Sequence, residues 1–191
     1  MNKFLKHLHT VNQHRRMVRK LCFKCGLYKQ GLLHDLSKYS PVEFINGVKF
    51  YTGTGSPHIG ERKHYGYSKA WLNHKGKNKH HAEYWQDICS DGFTHPIPMP
   101  EEYFVEMLCD RVAASMIYLG DKFTAAAPLE YYETHKDENQ FHELTRHSLE
   151  QWLIHIARAG VDETFKILKE RIKNDDEIKP DSNIAIRHRF I

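Results

Sequence analysis

The stretch GLLHDLSKYSPVEFINGVKFY, residues 31–51, decides the fold prediction for this chain. Its first part predicts a short apolar helix followed by a turn. Ser40 then stands where a helix N-cap is expected, with Pro41 at the first helical position and Glu43 at the capping-box position. The pattern therefore predicts a second helix that begins at Pro41 and runs to about the end of the stretch.

Helical spacing of apolar residues continues on both sides of this stretch. Before it, Gly26 is placed as the C-cap of a first helix. After it, the glycine-rich segment 52–66 predicts a loop, and HKGKNK, residues 74–79, predicts a turn between two short helical pieces. The longer helices are predicted at residues 4–25, 101–119, 141–157 and 161–172. No alternating strand pattern competes with them, so the sequence predicts an all-α protein.

The length of 191 residues favours one domain with one buried core. We predict a single-domain helical bundle at residues 1–173 and a C-terminal tail at residues 174–191. The tail opens with charged residues and a proline, so it forms either a frayed end or an arm on a neighbouring subunit. The second alternative would allow a homodimer.

The composition indicates a cytoplasmic protein that is rich in metal-binding side chains. No stretch of about 18 apolar residues occurs and the N-terminus lacks the apolar core of a signal peptide, so we expect neither membrane insertion nor secretion. The chain has 28 basic and 24 acidic residues, a net charge of +4, which suits a phosphorylated small molecule without requiring specific nucleic acid binding. The 15 histidines outnumber the 11 glycines, and imidazole is the commonest metal ligand among side chains.

Several common functional motifs are absent from the sequence. It contains no P-loop, nucleophile elbow or dinucleotide-binding glycine motif, and those protein classes are set aside. Cys22 and Cys25 form a C-x-x-C pair, but no second pair follows at zinc-finger spacing. We therefore expect both cysteines to pack in the first helix.

Polar residues interrupt apolar patterns at three places. His34 and Asp35 lie within the apolar run LLHDL, and Asp110 lies on the apolar face of its helix. His14 also lies on an apolar face, whereas His9 shares its face with polar residues, so we select His14. Each residue alone could be a hydrogen-bonded core histidine or half of a buried ion pair. Together they predict that histidine nitrogens and aspartate oxygens from separate helices meet at one cation.

These residues resemble the H…HD…D signature of the HD-domain superfamily of metal-dependent phosphohydrolases. His14, the pair His34-Asp35 and Asp110 occur in the order of that signature. Lys38 completes the His-Asp-x-x-Lys pattern that many members of the superfamily share. The resemblance implies an HD-domain-like helical bundle.

A second likeness concerns the stretch WLNHKGKNKHHAEYW, residues 71–85. The pair His80-His81 resembles the HH element of the HD-GYP branch and, with His74, implies a second metal position. The alternative is a solvated basic turn, and the choice between His80 and His81 stays open. The GYP tripeptide is missing, so signalling-dinucleotide hydrolysis is not expected. Together with LLHDLSKYSP, the stretch resembles an uncharacterised bacterial HD-like family over roughly residues 10–135.

The resemblance implies one or two divalent transition-metal ions, of Mn, Fe, Co, Ni or Zn. The implied ligands are His14, His34, Asp35, His74, His80, His81 and Asp110. Asp35 would bridge two ions, and Asp35 and Lys38 are the expected catalytic residues, with Lys38 or a loop lysine clamping a phosphate. The expected function is hydrolysis of a nucleotide or another small phosphoester. The alternatives are a di-iron oxygenase of the same superfamily and a non-catalytic, metal-stabilised binding module.

Overall fold

The computed structural model describes residues 2–53, 55–135 and 141–178. Helices dominate this part of the chain, and the only strands in it form one short hairpin, so the all-α prediction is confirmed. The α-helices are α1 (Lys3–Lys24), α2 (Tyr28–Leu33), α3 (Pro41–Lys49), α4 (Pro57–Tyr65), α5 (Lys69–Lys77), α6 (Glu101–Leu119), α7 (Ala127–His135), α8 (Glu143–Ala159) and α9 (Val161–Ile178). The hairpin pairs β1 (Gln86–Ile88) with antiparallel β2 (Thr94–Pro96).

The hydrophobic core lies between α1, α6, α8 and α9. Each of these helices contributes fully buried apolar side chains at helical spacing, represented by Val18, Leu108, Leu149 and Phe165. Cys22 is also fully buried in this core and carries a free thiol, as the packing interpretation predicts. The core fixes α1 against α6, and these two helices carry His14 and Asp110.

Helix α2 folds back onto α1 through a tight turn. Gly26 has a φ of 80°, a left-handed conformation that glycine adopts without steric cost, and the amide of Leu27 donates to the carbonyl oxygen of Cys22 at 2.9 Å. At Gly31 the two helices approach so closely that an added Cβ would lie 3.0 Å from the Cβ of Cys22. This contact positions the residues that follow α2.

The segment between α3 and α6 differs from its prediction. The predicted loop at residues 52–66 contains α4, which has Ser56 as its N-cap and Pro57 in its first turn. Gly66, with a φ of 79°, is its C-cap. The predicted turn HKGKNK is wrong as well, because α5 continues through Lys77 before the chain turns. The strands of the hairpin have three residues each, too few for an alternating pattern to stand out.

The C-terminal end of the described chain is helical. Helix α9 runs to Ile178 and so includes the first five residues of the predicted tail, and the remaining tail residues, 179–191, lie outside the described residues. None of the helices in the described ranges combines the length and apolar character that a membrane span requires. The division at residue 173, the homodimer and the cytoplasmic location stay predictions.

Candidate metal centre

The centre is built around the junction between α2 and the 3₁₀ turn Leu36–Tyr39. His34 and Asp35 are almost completely buried there, with exposed fractions of 2% and 1%. Asp35 has a φ of 54°, a left-handed conformation in which aspartate and asparagine are among the best-tolerated residues. The neighbouring Leu33 is about half exposed, so the apolar run that we expected to be buried faces outward and its polar pair faces inward.

The first group of ligand atoms joins α1, α2 and α6. The Nε2 atom of His14 lies 2.7 Å from Oδ1 of Asp110, and the same oxygen lies 3.6 Å from Nε2 of His34. Two donor atoms that bind one tetrahedral ion at about 2 Å each lie roughly 3.3 Å apart. The separations therefore suit one ion. His14 belongs to this group, whereas His9 is exposed.

The second group lies on the other side of Asp35. Its Oδ1 atom is 3.4 Å from Nε2 of His74 and 3.5 Å from Nε2 of His80. The Nε2 atoms of His74 and His81 are 2.9 Å apart, so His80 and His81 both point into the group. All three histidines are at least partly buried, which contradicts the alternative of a solvated basic turn.

Asp35 connects the two groups. Its Oδ2 atom lies 3.4 Å from Nε2 of His34, whereas its Oδ1 atom faces His74 and His80. One carboxylate thus presents a different oxygen to each group. Buried groups of histidine and carboxylate side chains that could hold a metal ion are therefore present, and they involve every metal ligand that the resemblance implied.

Two buried glutamates that sequence reasoning missed support the histidines. Oε1 of Glu106 lies 2.8 Å from Nδ1 of His34 and 3.0 Å from Nδ1 of His80, and these three residues form a third possible ligand group. Oε2 of Glu43 lies 2.8 Å from Nδ1 of His74. A carboxylate on the far ring nitrogen fixes the ring and directs the other nitrogen toward a metal ion. The capping-box role of Glu43 is wrong, since its side chain contacts His74 and Ser40 forms no side-chain cap.

Three atoms at the centre have no hydrogen-bond partner among the described residues. They are Nε2 of His34, Nε2 of His80 and Oδ1 of Asp35, and all three are buried. A buried polar atom without a partner costs about 1–3 kcal/mol. These orphaned atoms face one another, and their donor types suit a transition-metal ion. The residues present therefore fit such an ion.

Lys38 adds a positive charge at the edge of the centre. Its Nζ atom lies 2.9 Å from Oδ2 of Asp35. Burial alone would raise the pKa of the Asp35 carboxyl, but His34 and Lys38 together hold that pKa well below its usual range. For Asp110, too, burial is outweighed by the hydrogen bond from His14, and its pKa is lowered. Both carboxylates are consequently ionised at neutral pH.

Residues of α4 and α5 complete the wall around the second group. The ring of Trp71 lies edge-on to His81, with centroids 4.9 Å apart, and the ring of His58 lies 5.3 Å from Trp71. Burial, with the nearby Lys38, lowers the pKa of His58 to about 3. His58 was missed because its segment was predicted to be a loop.

Comparison with known proteins places the chain in a sequence family. Residues 3–155 match a family described as a family of unknown function, DUF5662. No curated protein and no solved structure gives a significant match. Because the match covers most of the chain, including every residue of the candidate metal centre, the protein belongs to the DUF5662 family.

Proposed function

We propose that the protein is a metal-dependent phosphohydrolase with an HD-domain-like centre. The observation that carries the proposal is the position of Asp35, whose two carboxylate oxygens face two separate groups of histidine nitrogens. His14, His34 and Asp110 would hold one ion, and His74, His80 and His81 a second. The order of these residues along the chain is the order of the HD signature that the sequence resembles.

Accessibility favours a catalytic centre over a closed structural site. The side chains of His14 and Asp110 are 16% and 22% exposed, whereas the side chain of His34 behind them is fully buried. Structural metal sites are usually closed by protein ligands, and catalytic sites keep a position open to water or substrate. The first group therefore faces the side from which a substrate would arrive.

The chain's own residues supply binding and charge at this centre. A bound divalent ion would supply a water of lowered pKa and a Lewis acid for the phosphoryl oxygens. The Lys38 ammonium, held at 2.9 Å from Asp35, stands where it can also donate a hydrogen bond to a phosphate oxygen. Glu106 fixes the rings of His34 and His80, so these ligands do not reorient during a reaction. A nucleotide or another small phosphoester is the proposed substrate.

The nitrogen-rich ligand set also suits a second candidate function. Five histidines and two aspartates contribute atoms to the two groups, and imidazole with carboxylate is a common environment for iron. This observation favours a di-iron oxygenase of the HD superfamily. Iron content and oxygen consumption separate it from the phosphohydrolase.

The test compares Asp35→Asn with Asp91→Asn. Asparagine tolerates the left-handed backbone of position 35 and keeps the shape of the side chain, so the variant removes mainly the charge. Asp91 is the matched control, because it lies 2.6 Å from His95 in an exposed pair on the hairpin. Purified proteins are analysed for bound metal and screened with phosphomonoesters and phosphodiesters in the presence of Mn²⁺, Co²⁺, Ni²⁺ or Fe²⁺.

We expect Asp35→Asn to lose bound metal and hydrolysis together, and Asp91→Asn to retain both. Hydrolysis that survives in Asp35→Asn would contradict the proposed mechanism. Stoichiometric iron with oxygen consumption and no phosphatase activity would support the oxygenase. Bound metal without either activity would support the alternative of a metal-stabilised binding module.

A further inference from the structure

The N-terminal part of the chain has an unbalanced charge. Residues 1–34 contain eight of the 28 basic residues and none of the 24 acidic residues. The charges are thus less evenly distributed than the overall composition suggests, and the structure collects this excess on α1 and α2. Such an asymmetry indicates an anionic ligand or surface as the partner.

A cleft between α1 and the segment after it concentrates this charge. We call it the arginine cleft, and its volume is about 160 Å³. It is lined by Asn12, Arg15, Arg16, Arg19, Gly31 and Tyr39. No lining residue is acidic, and Arg16 and Arg19 form no ion pair with any of the described residues. Both arginines are exposed, so their guanidinium groups remain available to a ligand.

Arg15 is held in a fixed orientation at the inner side of the cleft. Its Nε donates to the carbonyl oxygen of His34 at 2.7 Å, and its two terminal nitrogens donate to the carbonyl oxygen of Leu32 and to the hydroxyl of Tyr39, both at 3.1 Å. Tyr39 in turn donates to Asn12 at 2.5 Å. A guanidinium has five N–H donors, so two remain for a ligand after these bonds. Donors fixed in advance lose little entropy on binding.

We propose that the arginine cleft binds the phosphate group of a small phosphorylated ligand, at a site separate from the metal centre. Arginine is well suited to phosphate, because its planar fork of N–H donors matches two phosphate oxygens. The cleft is smaller than the roughly 300–1,000 Å³ of pockets that enclose a drug-sized ligand, so it fits a phosphate group alone. The rest of the ligand would stay outside the cleft.

The arginine cleft lies beside the metal centre, and Arg15 connects the two. The carbonyl oxygen of His34 accepts from Arg15, while the imidazole of the same residue faces Glu106 and Asp110. The cleft and the metal ligands therefore share a backbone segment without sharing ligand atoms. Phosphate binding in the cleft should persist when the metal centre is empty.

The test measures binding of pyrophosphate to the full chain by calorimetry in the presence of a metal chelator. The double variant Arg16→Gln/Arg19→Gln removes two charges from the cleft. The control Arg158→Gln/Lys166→Gln removes two exposed charges from α8 and α9. Because glutamine is a good helix former, both variants are expected to fold. Since no ion is bound in chelator, the result does not depend on the proposed hydrolase.

We expect saturable binding to the wild type at one site and a loss of at least about tenfold in the cleft variant, because each arginine–phosphate contact is a charge-assisted bond. The control variant should change the affinity by no more than about twofold, because its charges lie outside the cleft and salt screens them. The absence of saturable binding, or an equal loss in both variants, would overturn the proposal. Much tighter binding of a single-stranded oligonucleotide with a steep salt dependence would replace it with a nucleic acid surface.

Discussion

Removal of Glu106 is the sharpest test of how the proposed metal centre is built. One oxygen of Glu106 lies within hydrogen-bond distance of Nδ1 of both His34 and His80. The variant Glu106→Leu removes both contacts, whereas Glu106→Gln keeps an amide oxygen that can accept both bonds. The two variants therefore show whether metal binding depends on the hydrogen bonds that Glu106 accepts or on its negative charge.

The expected magnitude follows from the number of ligands that lose support. Loss of an outer-shell partner usually weakens metal binding about 10-fold to 100-fold. Because Glu106 supports two histidines at once, we expect Glu106→Leu to lie at the upper end, near 100-fold. Glu106→Gln should lose no more than about tenfold, since the acceptor remains and only the negative charge is gone.

The assay is competition between the protein and a chelating dye for Co²⁺ or Zn²⁺, with circular dichroism to confirm the helical content. Glu150→Leu serves as the control, because Glu150 accepts a bond from the hydroxyl of Tyr132 at 3.0 Å, outside the metal centre. It should leave the affinity unchanged. Wild-type affinity in Glu106→Leu would refute the supporting role. Equal losses in the leucine and glutamine variants would instead make Glu106 a direct ligand.

Two further predictions concern packing and thiol reactivity. Gly47→Ala should lower the free energy of unfolding by about 1 kcal/mol, because the new Cβ would lie 2.2 Å from Nε2 of the buried His7 and this overpacking outweighs the gain in helix propensity. At Gly76 an added Cβ would have no atom within 4 Å, so Gly76→Ala should raise the free energy of unfolding by up to about 1 kcal/mol. Both values are measured in the same denaturant titration. Equal effects of the two substitutions would contradict the close contact between position 47 and His7. In a titration with a thiol reagent, Cys89 should react first, since it is partly exposed. Burial raises the pKa of the Cys109 thiol well above its usual value, so this thiol should react slowly. Four thiols that react equally fast would show that the core opens.

The sequence predicts the long helices well, and it singles out polar residues that the structure brings together, because each carries a strong local signal. Helix α6 was predicted with its observed bounds, since a proline precedes it and apolar residues recur along it. Asp35, Asp110 and His14 were found as polar residues in apolar patterns. Asp35 is buried for a different reason from the one the pattern indicates: its leucine neighbours are exposed, and the backbone turn, not the apolar run, places its side chain inside.

Other parts of the site could not be found in the same way. Glu43 matched a capping box, and that local explanation hid its contact with His74 across 31 residues of chain. Glu106 lies four residues before Asp110 and so shares its helix face, a signal that was present but not used. Ser56 followed by Pro57 repeats the signal of Ser40 followed by Pro41, and the many glycines around it outweighed that signal.

His14 and Asp110 lie in contact although 96 residues separate them along the chain. On a ribosome that adds about 5–20 residues per second, roughly 5 to 20 seconds would pass between the synthesis of His14 and that of Asp110. A nascent chain therefore exposes unpaired histidines before it can enclose an ion. The proposed centre would therefore select its ion only after Asp110 has been made, by the shape of the closed centre and by the ions that the cell then offers.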